Sequence, residues 1–117
     1  MSKLGTVRFK GKSGSRYRFD VYPLEAVLDK GLGGVYVVTE RKRSKTKPGF
    51  CHVRMSAGHS GDLAASLTNG EKAFSARGAN CFCVHLQKDE AARLSVEQDL
   101  LRKRPGSSRT TDQTQTP

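Results

Sequence analysis

Two alternating runs near the N-terminus decide most of what this chain can fold into. In "GTVRFKGKSGSRYRFDVYP" (residues 5–23), Val7 and Phe9 alternate with Arg8 and Lys10. After a Gly-Ser turn, Tyr17, Phe19 and Val21 alternate with Arg18, Asp20 and Tyr22. A repeat of two sends successive side chains to opposite faces, so both runs read as strands and the pair as a hairpin over about residues 1–22. The turn "GKSGS" has a phosphate-loop flavour. A Walker loop, however, needs four residues between its first Gly and its Gly-Lys, whereas five strand-like residues separate Gly5 from Gly11.

The strand signature returns in "GGVYVVTER" and "FCHVRMSAG", a second hairpin with Pro48-Gly49 at its turn, and again in "ANCFCVHLQ". Helices are fewer. "PLEAVLDKG" reads as a short helix or turn between Pro23 and Gly31. Ser60 is the N-cap candidate for "GDLAASLTNG", which places Asp62 in the first turn and Leu63 and Leu67 on one face. Asn69-Gly70 is expected to end that helix, with "EKAFSARG" adding a further turn. The longest helical stretch is "KDEAARLSVEQDLLRK".

That last helix carries the most informative residue. Measured from Glu97 at about 100° per residue, Leu101 lies near ~40°, Leu94 near ~60°, Leu100 near about −60° and Val96 near about −100°. Glu97 therefore falls inside the apolar arc, with Ser95, Gln98, Asp99 and Arg102 on the far side. A carboxylate there needs a partner. Arg93 could supply it, an edge position could reach water, or the carboxylate could point into a cleft toward Mg²⁺, which prefers oxygen ligands. Tyr36, set in a valine strand, is either a half-buried aromatic or a phenol facing the same cleft for proton transfer.

Charge narrows the class of partner. Lys and Arg number 21 against 11 acids in 117 residues, a net charge of +10, which favours a polyanion and above all nucleic acid. The cations crowd into "RKRSKTK" at the second hairpin's tip. Arg41, Lys42, Arg43, Lys45 and Lys47 are expected to track a phosphate backbone, DNA rather than RNA, with Arg54 and His59 extending the patch. No apolar run has the length of a membrane span or a signal peptide, which gives a cytoplasmic expectation with no membrane partner. Cys81, Cys83 and His85 share one strand face and, with Cys51, could in principle ligate zinc. Their spacing suits chelation poorly, and buried, inert thiols are the favoured reading. The chain reads as one domain over residues 1–103. Residues 104–117, "RPGSSRTTDQTQTP", lack large apolar groups and are expected to be a disordered tail.

The order of elements, "GGVYVV", a hairpin loop, "SAG-HSGDL" opening a helix, a third strand and a helix with an inward Glu, resembles the GIY-YIG nuclease superfamily over residues 33–103. It is most like small bacterial members with an N-terminal hairpin and a late "GANC.CVHL" strand. The resemblance implies an α+β fold, a small mainly antiparallel three-stranded sheet flanked by helices and extended by the N-terminal hairpin. It also implies a phosphodiesterase centre with Tyr36 as the first-motif tyrosine that helps activate water, and Glu97 as the metal-binding glutamate, holding Mg²⁺ if the centre is active. Gly58 is retained. Ser56, however, replaces the second tyrosine, Ser66 replaces the helical arginine, and Gly70 and Glu71 stand where relatives carry histidines. The expectation is a degenerate domain that binds nucleic acid through its basic hairpin with little or no nuclease activity. The alternatives are an active Mg²⁺-dependent endonuclease using Glu97, Tyr36 and a relocated Arg (Arg54, Arg77 or Arg93), or a protein-interaction module on the same scaffold.

Overall fold

A computed structural model describes residues 3–46 and 48–101, and the backbone of residues 111–114. The elements run β1 (Gly5–Lys10), β2 (Arg16–Pro23), β3 (Gly34–Arg43), β4 (Phe50–Ser60), α1 (Leu63–Ala76), β5 (Cys81–Leu86), α2 (Glu90–Leu101) and β6 (Thr111–Thr114). They build one antiparallel sheet in the order β1-β2-β5-β3-β4-β6. The α+β class is as expected, but the sheet is larger than three strands. The N-terminal hairpin extends the sheet, as expected, and does so by pairing β2 with β5 through Asp20↔Val84 and Val21↔Cys83. The reason lies in β5, whose Cys81, Phe82, Cys83 and Val84 are all buried. A strand buried on both faces cannot leave one edge of backbone groups unpaired.

Each face of the sheet has its own core. On one side Val7, Phe9, Phe19, Val21, Val35, Val37, Cys81 and Cys83 pack with Val96 and Leu100 of α2. On the other, Leu24, Ala26, Val38, Phe82 and Val84 pack with Leu63 and Leu67 of α1. The sheet curls around α2. Phe9 of β1 meets His52 of β4 with ring centroids 6.2 Å apart, although three strands stand between them in the sheet order.

Several local expectations are settled or corrected. The segment after Pro23 adopts the turn and not the helix, with Ala26 N–H donating to Pro23 O at 3.1 Å, and Leu24 and Ala26 are buried alternately. Asp62, and not Ser60, caps α1. Its carboxylate accepts from Ala65 N–H, while Ser60 closes β4 and its hydroxyl accepts from Asp62 N–H. The helix passes through Asn69-Gly70 to Ala76, and Gly78 at φ +96° follows its C-cap. On α2, Val96 and Leu100 are buried together with Arg93, while Leu94 and Leu101 are 42% and 51% exposed. That rotation of the buried arc follows from Asp99, which was expected on the far side. Its carboxylate accepts hydrogen bonds from Ser13 N–H (2.8 Å), the Ser13 hydroxyl (2.7 Å) and the Tyr17 hydroxyl (2.8 Å), so the "GKSGS" turn grips a carboxylate of its own chain. The tail expected to be disordered contributes β6, which pairs with β4 from Phe50↔Thr114 to Val53↔Thr111. Residues 102–110 and 115–117 lie outside the described residues. Among the described residues no helix is long and apolar enough to cross a membrane.

Candidate functional site

The register of β3 on β4 sets Tyr36 opposite Gly58. Tyr36 turns to the α1 side and stacks on Phe82, with ring centroids 5.1 Å apart. Its hydroxyl lies over Gly58, where a Cβ would come within 2.5 Å of the phenol oxygen. Glycine supplies space here, and any side chain would displace the ring. The next residue, His59, faces the other side, where its Nδ1–H donates to Glu97 Oε1 at 2.8 Å. The two side chains are 30% and 16% exposed. Phenol and carboxylate thus lie on opposite faces of the sheet and not in the one cleft expected to hold both. Burial, and then the negative charge of Glu97, push the Tyr36 phenol above its ordinary value of 10.0. At neutral pH this phenol is protonated, able to donate a hydrogen bond but not to take up a proton.

Arg93, the sequence-level candidate partner for Glu97, does something else. It sits one turn earlier on α2 and is 9% exposed. Its Nη1 donates to the carbonyls of Gln87 (3.2 Å) and Lys88 (2.9 Å). A Cβ at Gly33 would come within 2.6 Å of that nitrogen, and Nη2 faces Gly61. Among the described residues no carboxylate lies within ion-pair distance of Arg93, and its Nε has no hydrogen-bond partner. Its buried guanidinium is thus held by backbone carbonyls before α2 and not by Glu97. Ser56 is half-buried opposite Val38, and Ser66 is half-buried in α1, where its N–H donates to Asp62 O at 3.2 Å. Neither hydroxyl replaces an arginine's charge.

The donor set fits Mg²⁺ poorly. Glu97 brings the carboxylate, and its Oε1 is taken by His59. Among the described residues no group of three or more His, Cys, Asp or Glu side chains converges to hold a metal. Of the cysteines, Cys81 and Cys83 are buried free thiols, and burial raises both pKa values.

The basic arm forms from the ends of β3 and β4. Arg41 is half-buried with its guanidinium 4.1 Å from the Phe50 ring centroid, and Arg43 lies at 5.9 Å. Lys42 is exposed and reaches Glu40 at 3.5 Å, and Lys45 is exposed. Lys47 lies outside the described residues. Two expected extensions do not belong to this patch. Arg54 is the register partner of fully buried Thr39, so it points into the curl, 5.4 Å from the Phe9 ring, with Nε and Nη1 buried. His59 is at the far end of β4, bound to Glu97.

Sequence reasoning missed a second cationic surface. On β1–β2, Arg8 stands directly opposite Arg18 and Lys10 opposite Arg16, and all four are exposed. The signal was present in the alternation itself. The positions that alternate with the apolar ones include Arg8, Lys10, Arg16 and Arg18, and the closed turn sets these four face to face.

No protein-family model, no curated protein and no solved structure matches this chain.

Proposed function

We propose that this chain is a nucleic-acid-binding domain on a GIY-YIG nuclease-like scaffold, with little or no capacity to cleave. The element order β3, β4, α1, β5, α2, with Tyr36 on β3 opposite Gly58 and Glu97 on α2, supports the scaffold reading. The single observation that carries the loss of cleavage is the His59–Glu97 hydrogen bond, which engages the carboxylate a metal would need. Serines at positions 56 and 66 remove a proton-handling group and a charge-stabilising donor. One lost donor of that kind costs roughly 10²- to 10³-fold in rate. A second loss weighs further, though not as a simple product.

The binding half rests on the net charge of +10 and the exposed cations of the arm. Labelled single-stranded and duplex oligonucleotides, incubated with the protein and either Mg²⁺ or Mn²⁺, are expected to stay intact. Metal-dependent cleavage that disappears in Glu97→Ala would overturn the proposal.

One observation favours the active alternative, namely Arg93, buried one helical turn from Glu97 and, among the described residues, without a carboxylate in ion-pair distance. On that reading Arg93 takes over the work of the missing helical arginine, and Arg93→Lys abolishes cleavage together with Glu97→Ala.

A further inference from the structure

The outward face of β1–β2 holds Arg8, Lys10, Arg16 and Arg18 as a two-by-two lattice. The register pairs Arg8 with Arg18 and Lys10 with Arg16. Cross-strand neighbours in such a ladder are about 5 Å apart, and i, i+2 neighbours about 7 Å. All four side chains are exposed, and among the described residues none has a carboxylate within ion-pair distance. The acid nearest in register on this face, Asp20, is engaged by Lys3 at 3.3 Å. Like charges set directly opposite each other destabilise an antiparallel pair, so the lattice does nothing for the hairpin. The opposite face of the same strands already supplies the packing through Val7, Phe9, Phe19 and Val21.

We propose that this face is a seat for the phosphodiester backbone of a nucleic acid, an inference that rests on the nucleic-acid reading above and adds a surface remote in sequence from the arm. A phosphate backbone is a closely spaced row of negative charges whose counterions are released when fixed cations replace them. Four rigidly spaced cations on a strand pair present that replacement without ordering a loop. Contacts of this kind position a nucleic acid but carry no base identity, so binding is sequence-independent.

The test uses the full chain and fluorescence anisotropy at stepped salt concentrations, with duplex DNA and RNA of one sequence in separate arms. Wild type is compared with a variant carrying Arg8→Gln, Lys10→Gln, Arg16→Gln and Arg18→Gln together, and with an arm variant carrying Arg43→Gln and Lys45→Gln. The lattice variant is expected to bind at least ~tenfold more weakly at low salt. Its log–log salt slope is expected to be shallower by up to about 3 to 4, at about 0.9 per lost phosphate contact. Its melting temperature should not fall, which separates lost contacts from lost fold. Full binding by the lattice variant, with loss confined to the arm variant, overturns this inference and leaves the nucleic-acid reading standing. Absence of salt-sensitive binding in wild type overturns both.

Discussion

At the residue scale, burial and then the charge of Glu97 hold the Tyr36 phenol above its ordinary value, although the two side chains stand on opposite faces of the sheet. The chain has no Trp, so tyrosinate absorbance can be followed without indole interference. Glu97→Gln is expected to lower the Tyr36 titration toward 10.0 and leave a remainder due to burial; an unchanged titration would separate the two groups. His52 gives a second residue-scale prediction. It is 1% exposed, bonded to the Thr39 hydroxyl at 3.0 Å, and burial followed by the Arg41 charge lowers it from 6.5 to about 4. Between those values the unfolded chain binds the proton and the folded chain does not. Stability is therefore complete above about pH 6.5 and is lost as pH falls toward about 4, by roughly 3 kcal/mol in all. Urea unfolding across that window should show a steeper loss for wild type than for His52→Phe. Tyr36 and Glu97 could be singled out from the sequence because each breaks an apolar pattern. The His59–Glu97 pair could not, since it joins residues 38 apart whose meeting depends on how α2 lies against β4.

At the element scale, α2 is oriented as much by Asp99 as by its leucines. Three donors from the first hairpin converge on that carboxylate, and Lys12 N–H donates to its backbone carbonyl at 3.0 Å. Asp99→Ala is expected to destabilise the protein by about 1–3 kcal/mol and to return the Tyr17 phenol, raised by burial and by Asp99, toward its ordinary value. Denaturant midpoints and the tyrosinate titration read the two effects. The strands were legible because period-two alternation is local. The rotation of α2 was not, because a helical wheel scores Leu94 and Leu101 as core without knowing that a distant turn holds the opposite flank. The same locality explains the cap of α1. Ser60 has the right chemistry, but β4 extends through it and leaves Asp62 to start the helix. The Arg8/Arg18 and Lys10/Arg16 pairs add an element-scale expectation. Replacing Arg8 and Lys10 with Thr should stabilise the hairpin by a few tenths to about 1 kcal/mol, measured by thermal unfolding.

At the scale of the whole molecule, one curled sheet separates two faces of different composition. The inner face wraps α2 and presents Glu97 with His59, and the outer face carries the α1 core at one end and the cationic lattice at the other. The α+β class could be read from the chain, whereas the joining of β2 to β5 could not, because strand order is set by which edges remain unpaired after collapse. The basic arm was legible as a charge run. The misassignment of Arg54 came from treating it as surface when its register partner is buried Thr39.

On the proposed function, the chain holds nucleic acid and leaves it whole. A mobility-shift gel of supercoiled plasmid with Mg²⁺ present reads both halves at once. The account predicts retarded plasmid that, after the protein is removed, migrates as intact supercoiled DNA. Nicked or linear product that vanishes with Glu97→Ala, or no retardation at low salt, would contradict it.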